Sequence, residues 1–289
     1  MAMGDTLLER GRNAPAARCY RAAQAVCTDP LLRVCITSRQ GLVRYEQPKS
    51  TVHLTIQQAI EKSFPGDAVF VGTTLAVWKK NNAFLDDSRF MELVRKHEVL
   101  LQQPNWNWNF MAPLWAVAQT RNIEGDYVEL GVFKGHTTLF LAEYYGFETW
   151  PKRWFLYDTF AGIPDDQMNQ GWEPLNQRTY VGTYSYEEVA ERFTGYPNIE
   201  VIQGRAPEIL EGSCPEKIAF LHLDLNSAVA EIAALEFVIE RIVPGGVIVF
   251  DDYCWDISRE QYRAEKAWFA ARGLVILEMP TGQGLFIKT

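Results

Sequence analysis

The chain has 289 residues, 47% of them hydrophobic and 22% charged, with a formal net charge of -8 at pH 7. That length and apolar content can bury one large core, or a core plus a small accessory region. The 28 lysines and arginines form no basic tract, which argues against nucleic acid as the main partner, and no apolar run approaches membrane-spanning length. The five cysteines (Cys19, Cys27, Cys35, Cys214 and Cys254) form no C-x-x-C pair. An odd count without a secretion signal leads us to expect a reduced, cytoplasmic setting.

Residues 14–27 are Ala-rich and suit a short helix, while Val34–Tyr45 suits a strand or irregular chain. Cys19, Cys27 and Cys35 are spaced by eight, but Thr28-Asp29-Pro30 breaks any shared helical face, so no metal role is expected there. Residues 52–64 predict a helix ending at Pro65-Gly66, and the apolar Ala68–Trp78 reads as core. Residues 86–101 predict an amphipathic helix opened by Asp86 or Asp87. In Gln103–Phe110 aromatics alternate with amides, a pattern that fits a lid or substrate wall around a polar organic ligand. It fits equally a structural loop that pins the N-terminal region. The expected division is therefore a mainly helical region 1–110, a lid or oligomerisation element, followed by a domain over 111–289.

From residue 121 the pattern is regular. Strands are expected at Asp126–Val132, Arg153–Asp158, Ile199–Gln203, 218–224 and 246–251, with helices at 137–146, Tyr186–Phe193, 228–242 and 259–272. Residues 161–182 form a long polar insertion. Two last strands, 274–279 and 284–288, flank the hairpin turn at Pro280–Gly284. Strands alternating with helices give an α/β fold: a three-layer, mostly parallel sheet with a C-terminal antiparallel hairpin strand.

Two of these strands end in acids: Asp224 follows Ile218–Leu223, and Asp251-Asp252 follows Gly246–Phe250. In an open parallel sheet ligands bind beyond the carboxyl ends of the strands. Like charges gathered there are costly unless a cation or proton neutralises them, so Asp224, Asp251 and Asp252 are candidate ligands of a divalent metal. Adjacent acids could instead cap the next helix. The first strand runs into Glu129-Leu-Gly131-Val-Phe-Lys-Gly135, where glycines permit a tight turn and close approach of a ligand. This E-x-G-x-x-x-G pattern lacks a glycine of the dinucleotide fingerprint, which argues against a diphosphate lying on the helix. Asp158, at the second strand end, can accept hydrogen bonds from a ribose diol or cap the following segment. Gly204, beyond the third strand, leaves room for an adenine edge, with Arg205 flanking it.

The pieces Tyr127-Val-Glu-Leu-Gly-Val-Phe-Lys-Gly135, Tyr157-Asp-Thr-Phe-Ala-Gly-Ile-Pro164, Leu223-Asp-Leu-Asn226 and Val243-Pro-Gly-Gly-Val-Ile-Val-Phe-Asp-Asp-Tyr253 occur in this order. Together they resemble class I S-adenosylmethionine-dependent methyltransferases, with a Rossmann-like sheet. The nearer resemblance is to the metal-dependent sugar O-methyltransferases of the macrocin O-methyltransferase type. The resemblance implies that the turn carrying Glu129, Gly131 and Gly135 holds the methionine part of S-adenosylmethionine. It also implies that Asp158, with Thr159 beside it, holds the ribose, and that Asp224, Asp251 and Asp252 bind a divalent cation, usually Mg2+. The expected partner is a small-molecule hydroxyl acceptor, glycosyl in type; a homo-oligomer is compatible with the sequence.

Asp224, Asn226 and His222 make up the candidate reaction centre. A cation there would acidify a bound hydroxyl. His222 shares side parity with Asp224 and is expected to support the site rather than ligate. Asn226 departs from the family, which commonly carries an aspartate able to act as base. An amide cannot take the proton; it can orient a hydroxyl or offer its carbonyl oxygen. His136 and Tyr253 are further substrate-side candidates. The competing functions are a catechol-like small-molecule O-methyltransferase, a nucleotide-dependent oxidoreductase and a non-catalytic cofactor-binding protein.

Overall fold

The computed structural model of the chain describes residues 51–65, 69–72, 75–97 and 106–289, together with Ala22. Apart from Ala22, the expectations for residues 14–27, for Val34–Tyr45 and for the spaced cysteines lie outside these residues. The chain divides into two compact units, Met1–Trp108 and Asn109–Thr289.

In the first unit, α1 (Thr51–Ser63) precedes a hairpin of β1 (Val69–Gly72) and β2 (Leu75–Trp78), paired antiparallel from Val69↔Trp78 to Gly72↔Leu75. β1 is buried, but β2 is half-buried and ends at an exposed Trp78, so only the first half of the apolar run is core. Of the two candidate caps for α2 (Ser88–Lys96), Asp87 serves: its side chain accepts the Phe90 N–H at 2.9 Å. Phe84 gathers the unit's aromatics, meeting Phe70 and Trp108 edge-on at 5.1 Å each.

The second unit runs α3 (Met111–Thr120), β3 (Asp126–Leu130), α4 (His136–Tyr145), β4 (Trp154–Asp158), α5 (Glu173–Thr179), α6 (Tyr186–Arg192) and β5 (Ile199–Gln203). It continues with β6 (Ile218–Leu223), α7 (Ala228–Val238), β7 (Ile242–Phe250), α8 (Arg259–Ala270), β8 (Leu277–Glu278) and β9 (Gly284–Ile287). The seven strands lie in the order β5-β4-β3-β6-β7-β9-β8; β3 to β7 are parallel, and β9 runs antiparallel to β7 and β8. This is the expected mostly parallel sheet with an antiparallel end.

β3, β4 and β6 are buried almost throughout, as a sheet covered on both faces requires. Alternation sorts their side chains. Val128, Leu130, Phe155, Tyr157, Leu221, Leu223, Ile248 and Phe250 share a core with Ala234, Leu235 and Val238 of α7 and Trp268 and Phe269 of α8. The opposite parity carries Tyr127, whose hydroxyl donates to the Val117 carbonyl of α3, and also Glu129 and His222. Two polar residues therefore stand in register among apolar neighbours on the inner sheet.

Some boundaries moved. α7 stops at Val238, and β7 begins at Ile242 rather than at 246. In Phe237–Val243 apolar residues stand on both sides of Glu240-Arg241, so periodicity alone does not reveal where helix becomes strand. Pro244 and two glycines fit inside β7 because the register with β6 shifts between Ile218 and Phe220. β8 shrinks to two exposed residues, short as edge strands often are. The insertion contains a helix, α5, that was not expected. Among the described residues no helix is long and apolar enough to cross a membrane.

Candidate active site

β3 and β6 are neighbours, yet the chain proceeds from β3 outward to β4 and β5 and from β6 outward to β7. That reversal opens a crevice beyond their carboxyl ends. Gly131 marks it, at φ +87°, with the Asp224 N–H donating to the Leu130 carbonyl at 2.8 Å. A Cβ at Gly131 would lie 1.8 Å from the Asp224 carbonyl oxygen. This glycine therefore admits a close approach of the protein's own backbone, joining the two halves of the site. Three non-glycine residues in the loops around the crevice also have positive φ: Phe133 after β3, Phe160 after β4 and Asn226 after β6. Such strain is held only where surroundings enforce it.

In the glycine-loop half, Glu129 is buried between two donors. Thr138 of α4 bonds one carboxylate oxygen, and His222 Nδ1 lies 2.9 Å from the other. Gly135, at φ +72°, is the residue before α4; a Cβ there would meet the Phe193 ring at 2.9 Å. Asp158 is buried and has four donors: the Val132 and Phe133 N–H groups on one oxygen, and the Phe160 N–H and the Tyr184 hydroxyl on the other, at 2.7–3.0 Å. Burial raises its carboxyl pKa, while the hydrogen bonds oppose the shift. Asp158 thus ties the glycine loop to β4 and uses about as many acceptor positions as a carboxylate offers. Thr159 closes a local turn by donating to the Gly162 carbonyl at 2.7 Å. A Cβ at Gly204 would lie 2.5 Å from the Ile209 side chain, so protein already occupies the space that the missing side chain leaves. Arg205 pairs with Asp166 of the insertion at 2.6 and 2.9 Å.

The other half gathers the acids. Asp224, Asp251 and Asp252 each offer a carboxylate oxygen, and these atoms lie within 4.8 Å of one another. Register explains part of this: Leu223 pairs with Phe250, so Asp224 and Asp251 leave adjacent strands at the same level. Burial first, then the neighbouring carboxylates, push Asp224 and Asp252 well above the usual range. Asp251 is lowered: burial opposes ionisation, but His222 and a hydrogen bond from Gln283 Nε2 at 2.8 Å outweigh it. His222 is buried, and its Nε2 faces Asp251 at 3.6 Å, too long for a hydrogen bond. Burial alone would lower its pKa; Asp251 and Glu129 overcome this and raise it well above the usual histidine value. His222 therefore spans the two halves, with Nδ1 towards Glu129 and Nε2 towards Asp251.

Asn226 Nδ2 donates to Asp224 Oδ1 at 2.7 Å. The insertion crosses these loop ends. Gln167 donates to the Ala206 carbonyl at 2.8 Å, Ser227 donates to the Gln167 carbonyl, and Trp172 Nε1 donates to the Ile257 carbonyl at 3.3 Å. Tyr180, at the end of α5, meets the Phe133 ring edge-on at 5.3 Å. Its phenol is pushed up by burial and then by Asp224, Asp252, Asp251 and Asp158, so it stays protonated before the acids.

Sequence reasoning did not find Gln283, Asn169, Glu231, Gln261 or Glu265 as site residues. One signal was available: Glu231 is an acid inside the otherwise apolar stretch Ala228–Leu235. It is buried against Glu265; burial and then the Glu265 charge hold it well above the usual range, and Glu265, mainly by burial, is pushed up to about 7.

Such carboxylates fit a divalent cation better than they fit one another: three acids converge with two of them resisting ionisation, and no side-chain hydrogen bond reaches Asp252 among the described residues.

Comparison with known proteins matches residues 109–272 to the family model of macrocin-O-methyltransferase (TylF). A curated relative from Streptomyces olivaceus, 8-demethyl-8-(2,3-dimethoxy-alpha-L-rhamnosyl)-tetracenomycin-C 4'-O-methyltransferase, is 26% identical over 147 residues. The match covers 48% of this chain, which spans only 56% of the relative's length. Among solved structures, the O-methyltransferase NovP has a TM-score of 0.54 at 20% identity, covering 63% of this chain and 78% of NovP. CalS11, a calicheamicin methyltransferase, has a TM-score of 0.53 at 17% identity, covering 84% of this chain and 93% of CalS11. At these identities the two structures speak to the shared fold.

Proposed function

The chain belongs to the macrocin O-methyltransferase (TylF) family, and from that premise we propose that it moves a methyl group from S-adenosylmethionine to a hydroxyl of a sugar or glycosylated small molecule, with a divalent cation at Asp224, Asp251 and Asp252. The observation that carries the reading is the convergence of these three carboxylates beside the glycine turn of β3. The curated relative's rhamnosyl-bearing substrate supports a glycosyl acceptor.

Glu129 and the glycine turn from Gly131 to Gly135 would hold the methionine end of the cofactor. Asp158 would hold the ribose, and a diol bound there would replace some of its four present donors. A cation, Mg2+ by the hardness of an all-oxygen donor set, supplies charge that favours the deprotonated acceptor hydroxyl. The chain's own work is orientation of two bound reactants. His222 favours the ionised form of Asp251, Asn226 orients Asp224, and the Tyr180 phenol lies near enough to the acids to feel their charge. None of these three is the base; the acceptor's proton leaves to solvent or to a group outside them.

A labelled-methyl assay over glycosylated acceptors, with Mg2+, Mn2+ and chelator arms, tests this. Incorporation should need the metal and fall at least 100-fold in Asp251→Ala and Asp252→Ala, the scale of removing a principal electrostatic contact. Label transfer indifferent to both chelation and these substitutions would sink the cation assignment. Absence of S-adenosylmethionine binding by calorimetry would sink the cofactor assignment.

A further inference from the structure

Asn226 stands where a carboxylate base would be useful, and its backbone is fixed from two directions. Its φ of 55° lies in the left-handed region, where asparagine is among the better-tolerated side chains. From α7, one oxygen of Glu231 accepts both the Leu225 N–H at 3.0 Å and the Asn226 N–H at 3.1 Å. The other oxygen accepts from Gln261 Nε2 of α8 at 3.0 Å. From the insertion, Asn169 donates to the Asn226 carbonyl at 3.2 Å and accepts the Ala228 N–H at 3.0 Å. With the backbone so held, the Asn226 amide reaches Asp224 Oδ1.

An acid in this place needs a reason. Glu231, Gln261 and Glu265 have no solvent exposure, and a buried acid is costly unless its bonds are needed. Helix capping does not supply the reason, because Ser227 already caps α7 by accepting the Ala230 N–H at 3.1 Å. What Glu231 alone supplies is an acceptor for two consecutive amides that point away from any strand partner.

We infer that Glu231, braced by Gln261, is a positioning residue. It sets the left-handed turn at Leu225–Asn226, and through the Asn226 amide that turn orients the Asp224 carboxylate towards Asp251 and Asp252. Asn226 then acts as an orienting arm in the place of a base. The inference rests on the proposed cation site and assigns a support to it.

The test uses the full chain and Mn2+ alone as probe, with Mn2+ affinity read by electron paramagnetic resonance and S-adenosylmethionine affinity by calorimetry. Glu231→Met keeps volume and removes both acceptors; Glu231→Gln keeps a carbonyl for the two amides. Glu231→Met should weaken Mn2+ binding about 10- to 100-fold, as loss of ligand-orienting partners does. Glu231→Gln should restore most of it, and S-adenosylmethionine affinity should stay at the wild-type value in both. Exchange of the Leu225 and Asn226 amide hydrogens in metal-free protein should accelerate in Glu231→Met and not in Glu231→Gln. If Glu231→Met does not fold, Asn226→Gly decides, because glycine accepts the positive φ and only the arm to Asp224 is lost. Its Mn2+ affinity should fall in the same range. Unchanged Mn2+ affinity in Glu231→Met or in Asn226→Gly, or a Glu231→Gln as weak as Glu231→Met, overturns the inference while leaving the cation site standing. A wild-type chain that binds no Mn2+ overturns the site itself, before any variant is compared.

Discussion

Asp158 and Asp252 are both aspartates at the carboxyl edge of one sheet, and their surroundings are opposite. Asp158 accepts four hydrogen bonds from its own loops, while among the described residues no side-chain hydrogen bond reaches Asp252, which faces Asp251 and Asp224. Burial raises the pKa of each carboxyl, but hydrogen bonds oppose the shift at Asp158 whereas neighbouring charges add to it at Asp252. The glycine-loop half is therefore complete without a ligand, so that binding there means exchange of partners. The acid half gathers like charges, so that binding there, as proposed, would be addition of a cation. A carboxylate that braces a loop and one that waits for a charge look alike in sequence.

The contrast can be broken most severely where the halves touch. Gly131→Ala places a Cβ 1.8 Å from the Asp224 carbonyl oxygen in a conformation unfavourable to alanine. Neither backbone can yield without moving a strand, so a loss of roughly 4 kcal/mol or more is expected, read as a collapse of the denaturant midpoint. A midpoint near wild type would mean that the β3–β6 junction is looser than described.

Protonation sharpens the contrast next. The folded pKa of Glu265, about 7, lies above its ordinary 4.5, so the folded state holds this proton more tightly than the unfolded state. The associated stability is fully present below about pH 4.5 and is lost as pH rises through about 7. In chelator, wild type should lose up to about 3 kcal/mol relative to Glu265→Gln between pH 4.5 and pH 8. Parallel pH–stability curves for the two proteins would refute the assignment.

The same substitution should then act with opposite sign in the two halves. Asp158→Asn leaves loop amides facing a donor and should cost about 2 kcal/mol of stability in the unliganded protein. Asp252→Asn relieves a crowded charge and should stabilise the metal-free protein by about 1 kcal/mol, while abolishing the rise in melting temperature with Mg2+ that the proposed cation site predicts for the wild type. Thermal unfolding with and without Mg2+ measures both, and two shifts of the same sign would erase the distinction.

Several site features were legible in the residues. The acids at the ends of β6 and β7, the glycine turn after β3 and the aspartate ending β4 all lie at strand ends, where period-two patterning and turn glycines are strong local signals. Parity places His222 on the side of Asp224 but does not give its partners: it lies between Glu129 and Asp251 because β3 and β7 flank β6. Gln283 lies 32 residues from the Asp251 it bonds, and the antiparallel return of β9 along β7 brings them together. The insertion read as polar chain, yet its Gln167, Asn169 and Trp172 are bound to loops 39 to 85 residues away.

The sequence by itself determined which strands the second unit contains, which of them end in acids, and that asparagine occupies position 226, because these follow from local pattern and residue chemistry. The tertiary structure alone decided which acid is satisfied and which is not. Hydrogen-bond satisfaction depends on which donors the strand order brings within about 3 Å, and strand order is a property of the folded sheet rather than of any one segment.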